Sequence, residues 1–551
     1  MCPDEFALPL TQEPVLLSAN FGELRQNHLH SGLDFKTGGV VGKPVVAAAD
    51  GWVSRISIRK YGYGKAVYLD HANGYTTVYG HLNDLCPRLD SILKDAQYEA
   101  RSYMQELTFA PGELPVRRGD TIAVSGNTGG SGGPHLHFEV RETASEEPVD
   151  PLFWFAPYIK DTTKPRIQAL AVYAVPGQGV LSDGRSKAIA TGEGMAQALP
   201  SVWGRVGLGV KAYDYMDGVG NLMGVQKVRL LVDSQEVFVQ EINRFSFDDS
   251  RYVNSLTDYG EWTQRKSWIM KSFREEGNRL PVYSTLENDG FIDIDEERDY
   301  PCRYELTDRH GNCAAMDFVL HGRRMAVPAL DSLPLRMIPS RANSFVAEDI
   351  RVSLPAEALY SPVVFRFSQR RPLHPKEPSA VHPRTFSDRY LIHGDETPLH
   401  KAVDVRVRIQ EDVHRDKSQY YVARLSAQKG LYEYVGGTWE SGWMHFPTRD
   451  FGQYTVLCDS VAPEIIFPDV AKAAGNGLIR IVIRDRHSGI GGFEGFIDGR
   501  WALFEDDYKT ESVFYRPDGR ALEATGTRHV LRMKVWDNCG NVAERETEFV
   551  F

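Results

Sequence analysis

Most of this chain alternates apolar and polar positions with the period of a β-strand. Trp52-Val53-Ser54-Arg55-Ile56-Ser57-Ile58 follows that alternation. Ala66-Val67-Tyr68-Leu69-Asp70 runs on to Asn73-Gly74, a pair that marks a hairpin turn, and His71 at that turn reads as structural. Tyr75-Thr76-Thr77-Val78-Tyr79-Gly80-His81 reads as a strand with Tyr75, Thr77, Tyr79 and His81 on one face. In His135-Leu136-His137-Phe138 the two histidines face one way and Leu136 and Phe138 enter a core. Short strands and frequent glycines predict a compact β-sandwich, reached after a Pro-rich, extended lead-in over residues 1–20.

One stretch breaks the pattern. Between His81 and Val116, residues 83–115 form an insertion, and Leu93, Ala96, Ala100, Tyr103 and Leu107 recur at helical spacing. A helix over 89–107 is expected. Beginning just after His81, it would flank a groove or act as a lid, although packing of its apolar stripe on the sandwich is the preferred reading.

After Pro151-Leu152-Phe153-Trp154 the strands go on and the sequence repeats itself. Asp161-Thr162-Thr163-Lys164-Pro165 is echoed by Asp459-Ser460-Val461-Ala462-Pro463, and Val210-Lys211-Ala212-Tyr213-Asp214 by Ile481-Val482-Ile483-Arg484-Asp485. Each copy closes alike, on Asp308-Arg309-His310-Gly311-Asn312 and Asp537-Asn538-Cys539-Gly540-Asn541. The copies are domain-sized, and their strand number suggests immunoglobulin-like sandwiches. The expected fold class is therefore mainly β: a compact β-sandwich domain with a helical insertion over residues 1–159, then an Ig-like sandwich with its own insertion over 160–324, a β-sandwich over 325–458 and an Ig-like sandwich over 459–551. The two Asp-x-x-Gly-Asn closures lack the dense carboxylate spacing of a calcium loop, and turn chemistry accounts for them. Tyr420, Tyr421, Trp439 and Trp443 would make a glycan-stacking patch, but core packing is the preferred reading. His374, His382, His393 and His400 show no metal-like spacing and read as surface residues.

Composition narrows the function. A length of 551 residues, 42% hydrophobic and 25% charged, is that of an ordinary multidomain globular protein. A net charge of −11 without a basic run argues against a nucleic-acid partner, and no apolar run reaches the length of a membrane helix. Six cysteines are too sparse for a disulfide scaffold; Cys302 and Cys313 would either pair across a hairpin or remain thiols.

The chemistry concentrates in His30-Ser31-Gly32-Leu33-Asp34 and His135-Leu136-His137. A catalytic zinc takes three ligands from His, Asp, Glu or Cys and keeps a position for water. A tight turn at Gly32 can bring His30 and Asp34 inward together. Of His135 and His137, one can bind metal while the other moves protons, and His81 is a further candidate imidazole. Glu139 shares their face and would orient an imidazole or serve as a surface ion-pair partner. His28 reads as an ordinary exposed residue. The glycine-rich loop Gly126–Pro134 lacks the Lys-Ser/Thr and the following helix of a phosphate loop.

These segments, together with Gly42-Lys43-Pro44-Val45-Val46-Ala47-Ala48-Ala49-Asp50-Gly51, Tyr61-Gly62-Tyr63-Gly64, Tyr79-Gly80-His81-Leu82 and Val116-Arg117-Arg118-Gly119-Asp120 through Gly129, resemble the lysostaphin-type (LytM-like) zinc metallopeptidases over about residues 21–142. Gly132 stands where that family usually has threonine. The resemblance implies one Zn2+ held by His30, Asp34 and His137, with His81 and His135 as the non-ligand catalytic histidines. It also implies a zinc-dependent endopeptidase cutting the peptide cross-links of bacterial peptidoglycan, with stem peptides as substrate and the Ig-like modules as contacts for envelope proteins. A latent or purely binding envelope protein, or a peptidase acting on a protein substrate, are the alternatives. Such a substrate places the protein in the cell envelope, periplasmic or secreted. The opening Met-Cys-Pro-Asp-Glu shows no secretory signal, so a trimmed signal is expected, and Cys2 would fit the remnant of a lipoprotein cleavage site.

Overall fold

The computed structural model describes residues 5–11, 13–329, 335–379, 381–468, 477–522 and 526–550. They fall into two compact units, one of Met1–Ser57, Tyr61–Leu89 and Leu107–Pro334, the other of Ile58–Lys60, Asp90–Glu106 and Leu335–Phe551. The fold is mainly β, as the alternation predicts.

The first unit opens on a nine-stranded sheet with Leu17–Ala19, Leu33–Lys36, His135–Glu142, Tyr75–Gly80, Lys65–Asp70 and Gly51–Ile58 as successive neighbours. Its inner face buries Leu33, Phe35, Val67, Leu69, Tyr79, Leu136 and Phe138. A three-stranded sheet of Pro44–Val46, Thr121–Ser125 and Leu82–Leu85 completes this part. His71 is buried and structural: its Nδ1 bonds the carbonyl of Asp50 at 2.9 Å and its Nε2 the hydroxyl of Thr77 at 2.8 Å.

The remainder of the first unit is built on two five-stranded sheets that share one apolar core, including Val206, Leu208, Leu230, Phe238 and Tyr304. Cys302 and Cys313 lie on one hairpin but on different rungs, opposite Phe318 and Thr307 respectively. Both are free thiols, as are Cys86, Cys458 and Cys539; the pairing reading fails because the two side chains never face each other.

In the second unit, two five-stranded sheets enclose Val352, Val405, Tyr390, Tyr420 and Tyr454, and two four-stranded sheets enclose Ile481, Ile497, Val513 and Met533. Tyr420 and Tyr421 are buried, in line with core packing. His374 and His382 are exposed, whereas His393 is only 4% exposed, which corrects the surface reading. Its ring stacks on Phe365, its Nδ1 accepts the Arg366 N–H at 3.1 Å, and its Nε2 meets Thr397 at 3.0 Å.

The insertion helix runs over Pro87–Ala100, shorter than the periodicity predicts. Arg101 takes a left-handed φ of +47° and ends it, so Leu107 falls in the strand Gln105–Thr108. Its buried stripe is Leu89, Leu93 and Gln97. Most of the helix belongs to the second unit, where Tyr98 meets Trp501 edge-on at 5.2 Å and Asp95 pairs with Arg520 at 2.8 Å. These two contacts come from outside the stripe. Among the described residues no helix is long and apolar enough to cross a membrane.

Candidate metal centre

His30 stands at the exit of a small hairpin, Leu24–Arg25 paired with His28–Leu29. Asp34 lies on the strand Leu33–Lys36, directly opposite His137. Between them Gly32 is required by space: a Cβ there would stand 2.2 Å from the carbonyl oxygen of Phe138. Any side chain would push the His30 turn off the strand that carries His137.

Three donor atoms converge. Asp34 Oδ1 is 3.0 Å from His30 Nε2 and 2.8 Å from His137 Nδ1, and the two nitrogens are 3.1 Å apart. All three side chains are buried. A triangle of that size has a common point about 2 Å from each corner, the bond length zinc takes to nitrogen and oxygen. Two imidazoles and one carboxylate are also a donor set suited to that ion, so the residues present fit a metal.

Each ligand candidate is oriented from behind. His30 Nδ1 donates to the carbonyl of Asn20 at 2.7 Å, and the Asn20 side chain exchanges two 2.8 Å hydrogen bonds with the backbone of Gly224. His137 Nε2 donates to Glu139 Oε1 at 2.7 Å. Glu139 is fully buried and also accepts from Ser31, from Tyr63 at 2.6 Å and from Arg141 Nε at 2.6 Å. The surface ion-pair reading of Glu139 gives way to the orienting one, because a buried carboxylate beside an imidazole fixes both its tautomer and its ring plane.

The electrostatics match this wiring. Burial alone would raise the Asp34 carboxyl, but His30, His135 and His137 outweigh it and hold it well below the usual carboxylate range. Burial would likewise lower His137; hydrogen bonds to Asp34 and Glu139 prevail and bring it up to about 9. The centre therefore seeks a cation, whether proton or metal ion.

His81 and His135 stand beside the triangle, their rings 4.7 Å apart. His81 Nδ1 bonds the carbonyl of Thr128 at 2.8 Å, and His135 Nδ1 that of Gly133 at 2.8 Å. In both, the carbonyl acceptor fixes a proton on Nδ1 and leaves Nε2 as the atom that faces the centre. His135 Nε2 lies 3.5 Å from Asp34 Oδ1. Burial, then the charges of His137 and His135, push His81 down to about 3, so its ring is neutral at physiological pH.

The simple alternation of the 75–81 segment does not carry His81 here. Tyr79 pairs with Phe138 on the core side, and Gly80 pairs with His137. The strand ends at Gly80, and His81 takes a left-handed φ of +59° that turns its ring toward His135 and His137. His28 is exposed and bonds Gln26. Sequence reasoning passed over Asn20, Ser31, Tyr63 and Arg141 as parts of the site. Ser31 and Tyr63 lay inside recognised motifs, strand alternation puts Arg141 on the face of Glu139, and nothing local marks Asn20.

Residues 28–98 and 91–151 match the model of Peptidase family M23, and residues 336–459 that of a Zu5-like domain. The DD-carboxypeptidase/endopeptidase Mpg of Neisseria meningitidis serogroup B is 37% identical over 124 residues, 22% of this chain and 22% of that protein. An uncharacterized metalloprotease of Haemophilus influenzae is 38% identical over 110 residues, 20% of this chain and 18% of its own length. The Peptidoglycan DD-endopeptidase ShyB of Vibrio cholerae is 35% identical over 122 residues, 22% of each. The chain thus spans less than a quarter of each of these relatives. Within residues 28–151 it carries a domain of Peptidase family M23, in line with the lysostaphin-type resemblance of its motifs.

Proposed function

We propose that this chain is a zinc-dependent endopeptidase that hydrolyses the D,D-peptide cross-links of bacterial peptidoglycan in the cell envelope. The carrying observation is the meeting of His30 Nε2, Asp34 Oδ1 and His137 Nδ1 within 3.1 Å, beside two imidazoles whose Nδ1 atoms are both held by backbone carbonyls. The relatives named Peptidoglycan DD-endopeptidase support the substrate and the bond. A substrate of that kind lies outside the cytoplasm, which supports the compartment.

His30, Asp34 and His137 would hold the ion. Bound there, zinc would supply a Lewis acid for the scissile carbonyl and make water a competent nucleophile near neutral pH. His81, neutral and with its proton fixed on Nδ1, accepts a proton at Nε2. His135 offers the same atom from the other side, so the pair can take the proton of the attacking water and return one to the leaving amine. The carbonyls of Thr128 and Gly133 hold the two rings in these tautomers, so no reorientation is needed as charge develops.

The test is mass spectrometry of isolated peptidoglycan after incubation with zinc-loaded protein, beside His137→Ala. New termini at the D,D-linkage with wild type alone support the proposal. Bound zinc without cleavage would favour latency or a protein substrate, and absence of both zinc and cleavage a binding role.

A further inference from the structure

The sequence gives the Asp-x-x-Gly-Asn closures to turn chemistry, and Asp308 does accept the Asn312 N–H and its side-chain amide, both at 2.8 Å. Folding adds something the spacing does not contain. Asp161, Asp214 and Asp308 come from three separate segments, and one oxygen of each lies within 4.8 Å of the others. All three are buried.

The donors around them leave one oxygen unserved. Asp161 accepts the Thr163 N–H at 3.0 Å. Oδ1 of Asp214, a residue only 4% exposed, has no hydrogen-bond partner. Leaving a buried carboxylate oxygen unpaired is costly. The positive groups nearby are committed: Arg309 pairs with Asp150 at 2.9 Å, and His310 donates Nε2–H to the carbonyl of Ile159 at 2.9 Å with its Nδ1 3.7 Å from Asp161. The carboxylates line a cavity of about 10 Å3, walled also by Asn20, Phe21 and Gln226, room for one small ion.

The repeat supplies an internal control. Asp459, Asp485 and Asp537 form the same triangle in the second unit. There Asp459 Oδ2 accepts both the N–H and the hydroxyl of Ser488, at 3.1 and 2.6 Å. Asp485 accepts two backbone N–H groups, and Asp537 two more plus the Asn541 amide. Asp217 occupies the place of Ser488 in the first copy and accepts from Thr162 and Thr163 instead. Of the six aspartates, only Asp214 keeps a fully buried oxygen without a hydrogen-bond partner.

We propose that Asp161, Asp214 and Asp308 form a structural site for a divalent cation of the calcium class. Hard oxygen donors select such an ion, and three buried carboxylates around so small a cavity leave no room for the several waters that magnesium keeps, which favours calcium. The ion would tie the segment at Asp161, just after the peptidase domain, to the sandwich that follows. Asn20, which shares the cavity wall, carries the carbonyl that orients His30, so the site also buttresses the metal centre from behind.

The test uses the full chain, stripped of metal and reloaded with zinc, titrated with calcium chloride by calorimetry and followed in thermal melts. Wild type should bind calcium, with a Tm rise of about 5–10 °C for the first unit at a hundredfold excess over Kd. Asp214→Asn should lose both signals, and Asp485→Asn should keep them. Should Asp214→Asn not fold, as judged by circular dichroism, Asp161→Asn serves in its place, with the same loss expected. No calcium response in wild type, a response that survives Asp214→Asn and Asp161→Asn, or an equal response to magnesium would overturn the proposal.

Discussion

Two buried histidines in this protein titrate in opposite directions. His137 in the peptidase domain and His393 in the second unit are 3% and 4% exposed. The first is raised to about 9 by Asp34 and Glu139, against the pull of burial. The second is lowered to about 4, by burial and then by Arg366. Burial alone makes an imidazole shed its proton and become a packing unit. Carboxylates on both ring nitrogens make it part of a cation-binding centre. The residue type and its burial are shared; what differs is the charge that faces the ring, Asp34 and Glu139 at His137 and Arg366 at His393.

The largest effects should come from breaking the centre itself. His137→Ala or Asp34→Ala should reduce zinc content to background and abolish peptidoglycan cleavage, read by metal analysis and product mass spectrometry. His81→Ala or His135→Ala should keep the zinc and lower kcat by about 10²–10⁴-fold, the usual worth of a positioned acid or base. Full activity with zinc retained in either would remove that histidine from the reaction.

His393 tests the other side of the comparison. Its folded pKa of about 4 lies below the ordinary 6.5, so the unfolded chain takes up the proton first. The stability it contributes is complete above pH 6.5 and is lost as pH falls toward 4; the full span is about 3 kcal/mol. Denaturant titration at pH 7 and pH 5 should show a smaller pH dependence in His393→Gln than in wild type. An unchanged dependence would mean the ring titrates as if in water.

Glu139→Gln sharpens the contrast from within the centre. Replacing the carboxylate behind His137 should weaken zinc binding about 10–100-fold while leaving the ligand set intact, as measured by competition with a chelator of known affinity. Asn20→Ala should have the smallest effect. Losing the two bonds to Gly224 costs about 1–2 kcal/mol in the melting of the first unit and loosens the carbonyl that holds His30.

Much of this was legible in the chain. His135 and His137 share a face because strand periodicity is strict, and Leu136 and Phe138 fill the core behind them. The proximity of His30 and Asp34 follows from a glycine-bearing turn. Alternation failed at His81, where a single left-handed residue redirects the ring, and periodicity overran the helix, which a left-handed Arg101 stops at Ala100. Both failures are one-residue backbone events that patterns averaged over several positions do not register. His393 was misplaced for a different reason: its surroundings, Phe365 and Phe451, come from distant strands.

The sequence by itself determined the strands, the mainly β class and the local geometry of each short motif, because side-chain alternation and turn chemistry act over a few residues. Only the tertiary structure decided which distant groups meet: Asp34 beside His137, Asn20 against Gly224, and Asp161 beside Asp308. Those encounters depend on strand order and register across more than a hundred residues of chain, and whether a buried charge finds a donor, a counter-charge or an ion is settled there.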